Sequence, residues 1–104
     1  MPPMPRVLVT GASSGLGWHT ARYLAGARAD FEVLLGCRTE AKARAAAESI
    51  LADTAPDVSP ELECASVTPV AAPLELTDLG TVRAFAGHVQ REHGPIDVLL
   101  NCAG

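Results

Sequence analysis

The stretch "VLVTGASSGLGWHTARYLAG", running from Val7 to Gly26, sets an apolar, β-branched run against three glycines and then against an Ala/Leu-rich segment. Arg6 to Thr10 ("RVLVT") is too short for a helix and stops at a glycine, which is the signal of a buried strand. From Gly15 onward, Leu16, Thr20, Tyr23, Leu24 and Ala27 recur at helical spacing, with Gly26 weakening the last turn. A strand, a glycine loop and a helix therefore follow one another with no linker.

The same alternation continues along the chain. Phe31 to Gly36 ("FEVLLG") reads as a second strand, and Thr39 can cap a helix through "EAKARAAAESILA", with Ala43, Ala46, Ala47, Ile50 and Leu51 on one face. Residues 53–69 ("DTAPDVSPELECASVTP") carry three prolines and no helical period, so they read as a long loop. Val70 to Leu76 reads as a third strand, provided that Pro73 sits where no ladder donor is needed. Asp78 can cap a helix striped by Leu79, Val82, Phe85, Ala86 and Val89, which Gly94-Pro95 stops. Ile96 to Leu100 is a fourth apolar run, followed by "NCAG". The order βαβαβαβ implies an α/β domain with a parallel sheet, right-handed crossovers and helices on both faces.

Composition narrows the function classes. The chain has 104 residues, 48% hydrophobic and 19% charged, with a net charge of −4. These values suit one small globular domain, or part of a larger one, and argue against disorder and against a basic nucleic-acid surface. No run approaches the roughly 18 apolar residues of a membrane helix, and "MPPMPR" has neither the apolar core of a signal peptide nor a transit peptide's composition. Cys37, Cys64 and Cys102 are odd in number and lack metal-ligand spacing, so they read as structural thiols of a reducing compartment. His19, His88 and His93 fall in helical segments, where no nucleophilic triad can be built around them.

The glycines Gly11, Gly15 and Gly17 form a G-x-x-x-G-x-G spacing between strand and helix. A nucleoside-triphosphate loop would need G-x-x-x-x-G-K-[ST], and no lysine is present here. Two readings remain, a dinucleotide site or a strand-to-helix turn that the glycines only punctuate, and the place in the first βα turn of a βαβ pattern favours the dinucleotide. Gly11 lets the chain turn sharply, Gly15 and Gly17 clear side chains from the path of a pyrophosphate, and the N-terminus of the following helix attracts the anion. Ser13 and Ser14 add hydroxyl donors. At the end of the second strand a carboxylate would accept hydrogen bonds from the ribose hydroxyls of NAD, but the sequence has Cys37 and then Arg38, whose planar fork suits the extra phosphate of NADP. NADP is therefore expected over NAD. The competing reading makes Arg38 a solvated cation beside a helix start.

With these residues in place the sequence resembles the short-chain dehydrogenase/reductase family over essentially its whole length. The resemblance rests on Thr10-Gly11-x-x-x-Gly15-x-Gly17, on Cys37-Arg38, on "LELTDL" and on Asn101-Cys102-Ala103-Gly104. It implies pyrophosphate contacts from Thr10, Gly11, Ser13, Ser14, Gly15, Leu16 and Gly17, and 2′-phosphate binding at Arg38. It also implies adenine near Glu75 and Leu76, and backbone contact to the adenosine ribose from Asn101, Ala103 and Gly104. Two positions depart from the usual pattern, with Glu75 in the place of an aspartate and Cys102 in the place of a second asparagine. Within the family, the glycine loop, "CR" and the "KARAA" helix look most like light-dependent protochlorophyllide reductases and retinol-dehydrogenase-like members. Trp18 and His19 beside the loop read as packing and surface residues.

The family's chemistry pairs a tyrosine with a lysine four residues on, and a serine upstream, to pass a proton while hydride moves from the nicotinamide. Here the one tyrosine, Tyr23, is followed four residues later by Ala27, and the one lysine is Lys42. The sequence thus looks like the N-terminal half of a doubly wound Rossmann fold with strand order 3-2-1-4, a partial dinucleotide-binding domain over residues 1–104 cut after the fourth strand. No catalytic residue and no metal ligand is expected within it. The expected parent is an NADP-dependent oxidoreductase acting on a small-molecule carbonyl, alcohol or conjugated double bond, of the protochlorophyllide or retinoid kind. A homo-oligomer of the full-length protein is compatible with this, without nucleic acid or a membrane span. The expected location is soluble, in the cytoplasm, or in a plastid if the protochlorophyllide likeness holds. The alternative from a different class is a non-enzymatic nucleotide-binding or regulatory module that keeps the fold without the chemistry.

Overall fold

The computed structural model describes residues 5–26, 31–54 and 66–103. The elements, in order, are β1 (Arg6–Thr10), α1 (Gly15–Gly26), β2 (Glu32–Gly36), α2 (Glu40–Thr54), β3 (Ser66–Pro69), α3 (Leu79–Glu92) and β4 (Val98–Asn101). The strands form one parallel sheet in the order β3-β2-β1-β4, as the sequence predicts. Its register runs Val7↔Val33, Leu8↔Leu34 and Val9↔Leu35 between the two central strands, and Leu8↔Leu99 out to β4.

Side chains alternate along each strand, so one run of apolar residues feeds two cores. Val7, Val9, Val33 and Leu35 pack under α1 and α2, against Ala21, Ala25, Ala43, Ala46, Ala47 and Ile50. Leu8 and Leu34 point the other way, where Val70, Leu74, Phe85 and Val89 meet them beneath α3. The predicted caps form as expected. Thr39 Oγ1 accepts from Lys42 N–H at 3.1 Å, and Asp78 Oδ1 accepts from Gly80 N–H at 2.8 Å, each satisfying a first-turn donor with no carbonyl partner of its own. Helix α3 stops at His93 and Gly94, the latter with φ +89°, a conformation that glycine adopts without strain.

Two expectations change. Only part of the spacing that marks α1 is its buried face, because Gly17, Ala21 and Ala25 face the sheet and Leu24 packs partly against that core, while Leu16 and Tyr23 are 73% and 77% exposed. Small residues let the helix axis approach the strands closely, and bulky ones on that ridge would hold it off. Of the other residues in the predicted stripe, Ala27 lies outside the described residues.

The third strand is Ser66–Pro69, inside the segment read as loop, and Val70 to Leu76 is irregular. The reason is register. Ser66 N–H donates to Phe31 O at 3.1 Å and Val70 N–H to Leu35 O at 3.0 Å, so Pro69 falls on the outward phase of an edge strand, where its missing N–H goes unnoticed. Val70 and Leu74 are still core residues, carried in by a bend that Leu74 N–H closes on Cys37 O at 2.9 Å.

Candidate dinucleotide site

The loop after β1 is shaped by close approach. Gly11 (φ +65°) and Gly15 (φ +57°) hold left-handed conformations that side chains disfavour. A Cβ on Gly11 would lie 2.8 Å from Ala103 Cα, so the glycine lets the end of β4 press against the loop. Gly17 is buried, and a Cβ there would overlap the Gly11 carbonyl. Its role in the structure is to seat α1 against the loop rather than to clear a path from outside. Gly15, in contrast, has open space in front of it. Gly11 N–H donates to Gly36 O at 2.9 Å, which ties the loop to the end of β2.

Thr10 also acts inward. Its hydroxyl lies 3.4 Å from Leu100 O and 3.4 Å from Ala103 N–H, bridging the ends of β1 and β4 from a buried position.

Above the carboxyl ends of β1, β2 and β4 lies a cleft of about 610 Å³. Gly11, Ser13, Ser14, Gly15 and Leu16 form one wall, Cys37, Arg38 and Lys42 a second, Leu74, Glu75, Leu76 and Thr77 a third, and Cys102 with Ala103 the floor. Gly15 and Leu16 place the first turn of α1 there, where backbone N–H groups have no intrahelical acceptor and the dipole favours an anion. The crevice outside the strand ends is where open α/β sheets take their ligands.

Most of the residues singled out from the sequence thus converge on one cleft. Thr10 and Gly17 stand behind the wall. Asn101 is exposed and faces an apolar groove on the α3 side instead, and Gly104 lies outside the described residues.

The third wall holds an arrangement that the sequence did not announce. Arg38 Nε and Glu75 Oε2 are 3.0 Å apart, and the other Glu75 oxygen accepts from the Thr77 hydroxyl at 3.0 Å and the Thr77 N–H at 3.3 Å. The hydrogen bonds from Thr77, with the Arg38 charge adding to them, hold the Glu75 carboxyl below the usual carboxylate range. The Glu75 backbone is fixed as well, since its N–H donates to Thr81 Oγ1 at 3.1 Å.

Cys37 is buried at the end of β2. Burial pushes its thiol up, while the Ala12 N–H and the Lys42 ammonium pull the other way. Sequence reasoning missed Lys42, Thr77 and the inward role of Thr10. A lone lysine in an alanine helix has no periodic signal, and Thr77 matters only through Glu75.

The chain matches the short chain dehydrogenase family model over residues 5–104. Human retinol dehydrogenase 14 is 39% identical over 101 residues, which cover 94% of this chain and 30% of that protein. A metagenomic short-chain oxidoreductase solved in complex with NADP is 32% identical, with a TM-score of 0.70, covering 96% of this chain and 39% of that one. Menthone neomenthol reductase from Mentha piperita, at 23% identity and a TM-score of 0.75 over 99% of this chain and 32% of its own, shares the fold. The chain spans about 30% of the length of such curated relatives. Parallel strand order, glycine loop and cleft agree with this match, and the chain belongs to the short-chain dehydrogenase/reductase family.

Proposed function

We propose that residues 1–104 are the cofactor-binding part of an NADP-dependent oxidoreductase that moves hydride between NADPH and a carbonyl, alcohol or conjugated double bond. The observation that carries this reading is the cleft itself. It sets the glycine loop and the N-terminus of α1 opposite two cations, with neutral Cys37 where a carboxylate would favour NAD. Support comes from relatives: several similar solved structures hold NADP or NADPH, and retinol dehydrogenase names recur among the similar proteins, which favours a retinoid-like substrate over a protochlorophyllide-like one.

The roles divide by position. Gly15, Leu16, Ser13 and Ser14 hold the pyrophosphate, Glu75 and Leu76 flank the adenine, and Ala103 touches the ribose through its backbone. Thr10, Gly11 and Gly17 keep these groups in place. The nicotinamide, when bound, supplies or accepts the hydride. The proton comes from residues outside this chain's 104, since Tyr23 lies on the exposed face of α1 and Lys42 on α2.

Titration with both cofactors tests the reading. NADPH is expected to bind at least tenfold more tightly than NADH, and equal affinity would reject NADP dependence. In the longer polypeptide, NADPH oxidation driven by an apolar aldehyde or ketone is the expected activity. Its absence in a protein that binds NADPH tightly would favour the non-enzymatic nucleotide-binding module.

A further inference from the structure

Far from the cleft, the end of α3 brings two histidines together. His88 lies in the helix and His93 is its C-cap, with ring centroids 6.3 Å apart and ring planes inclined at 65°. On a regular helix, side chains at this spacing point about 140° away from each other, so the sequence signals no metal ligand here. His93 departs from that geometry because its backbone leaves the helical path at φ −118° and Gly94 follows at φ +89°. The two rings meet as a result.

Both residues are half-buried, and among the described residues neither imidazole is held in a hydrogen bond or an ion pair. The cations around them are placed elsewhere. Arg91, the basic residue of the last turn, lies over Gly87, where its Nη1 would be 3.2 Å from an added Cβ. Arg6, beside Gly94, is paired with Glu32 at 3.0 Å. The last carbonyls of a helix lack intrahelical donors and form the negative end of its dipole, so this end of α3 favours a cation.

We propose that His88 and His93 form a two-nitrogen site for a divalent cation that prefers imidazole, of the Zn²⁺ and Ni²⁺ class. Neutral imidazole is the commonest protein ligand for such ions, whereas Mg²⁺ prefers oxygen. With metal–nitrogen bonds of about 2 Å, two imidazoles sharing a tetrahedral ion have centroids about 5 Å apart. A small rotation of either side chain closes the difference from 6.3 Å. No third His, Cys, Asp or Glu completes the group among the described residues, so water fills the other positions and the ion stays exchangeable. Bound there, it clips the end of α3 to the turn that leads into β4.

The test titrates untagged protein with Ni²⁺, whose paramagnetism broadens the NMR signals of nearby ring protons. His88 and His93 are expected to broaden together and well before His19, and excess Zn²⁺ is expected to reverse the loss while Mg²⁺ does not. His19 is the control because it is exposed on α1, so an ion that only visits accessible imidazoles reaches it first. By calorimetry, His88→Gln and His93→Gln are each expected to weaken Ni²⁺ binding at least tenfold, and His19→Gln to leave it unchanged.

Broadening of His19 as early as the pair, or of one member of the pair without the other, would overturn the site. So would Mg²⁺ competing as well as Zn²⁺, or wild-type affinity in either glutamine variant of the pair. The wild-type titration decides the matter even where a variant fails to fold.

Discussion

The two faces of the sheet are built to different standards. Beneath α1 and α2, the sheet residues Val9, Val33 and Leu35 and the helical residues Ala21, Ala43 and Ile50 are fully buried, and alanines bring the helices down onto the strands. On the opposite face α3, with Val70 and Leu74 from the bend after β3, covers Leu8 and Leu34, and beside it runs an apolar groove of about 910 Å³ lined by Leu8, Val82, Phe85, Ile96 and Leu99. Leu79 at the start of α3 is 70% exposed and Leu99 on β4 is 53% exposed. The closed face adjoins the glycine loop and Lys42 of the candidate cleft. The open face presents apolar surface of the kind that in a monomer marks a place for further packing. Among the described residues no helix is long and apolar enough to cross a membrane.

The largest expected effect comes from emptying the closed face. Leu35 is fully buried between β1 and β3, so Leu35→Ala is expected to destabilise by about 3 kcal/mol through lost burial and a cavity that the alanine-packed helices cannot fill. Leu8, on the neighbouring strand, points to the opposite face and lines the groove, where solvent can enter the vacated space. Leu8→Ala is expected to cost about half as much, roughly 1.5 kcal/mol. Urea melts of the two variants decide it, and equal losses would mean that the faces are equally packed.

The closed face was also the more legible one, up to the point where small residues took over. Strand β1, the loop and the start of α1 could be read because Gly11, Gly15 and Gly17 leave a spacing that few other structures need. The buried ridge of α1 could not, because Gly17, Ala21 and Ala25 carry little hydrophobic signal while exposed Leu16 and Tyr23 carry much. On α2 the stripe held through Ile50, but Leu51 is exposed, and Thr54 takes the buried place with its hydroxyl on Ile50 O at 3.0 Å. Strand β3 escaped because "SVTP" is short and ends in proline, and only its register with β2 makes it a strand. In the site, the convergence of Ser13, Arg38 and Glu75 was legible from motif order. The ion pair that occupies Arg38 was not, since it depends on how the bend after β3 returns to the end of β2.

Thiol chemistry offers a second, kinetic contrast. Cys37 is 2% exposed, and burial raises its pKa above the ordinary 9.0, whereas Cys102 is half-buried on the cleft floor. The thiolate is the nucleophile, so iodoacetamide is expected to label Cys102 well before Cys37 at pH 8, as read by peptide mass spectrometry. The sign for stability follows. The folded state favours the neutral thiol, so the contribution of Cys37 is complete below the unfolded pKa and is lost as pH rises through the higher folded value. Cys37→Ser is then expected to flatten the alkaline side of the stability profile, and an unchanged slope above about pH 9 would refute the assignment.

The smallest expected effect, at the open edge, is the most informative about what that face is for. β4 lies at the end of the sheet, and Val98 and Leu99 are both exposed on it. Unpaired strand edges with apolar side chains recruit other strands, and a lysine placed there is a common natural deterrent. Leu99→Lys in the 104-residue chain is therefore expected to change stability by no more than about 0.5 kcal/mol while reducing self-association in sedimentation measurements. In a polypeptide that continues beyond Gly104 and packs on the groove, the same lysine would be buried without a partner and is expected to cost about 2 kcal/mol or more. A small effect in both would mean that the face stays open in the longer protein. A large effect in the short chain would mean that Leu99 already packs against a second copy.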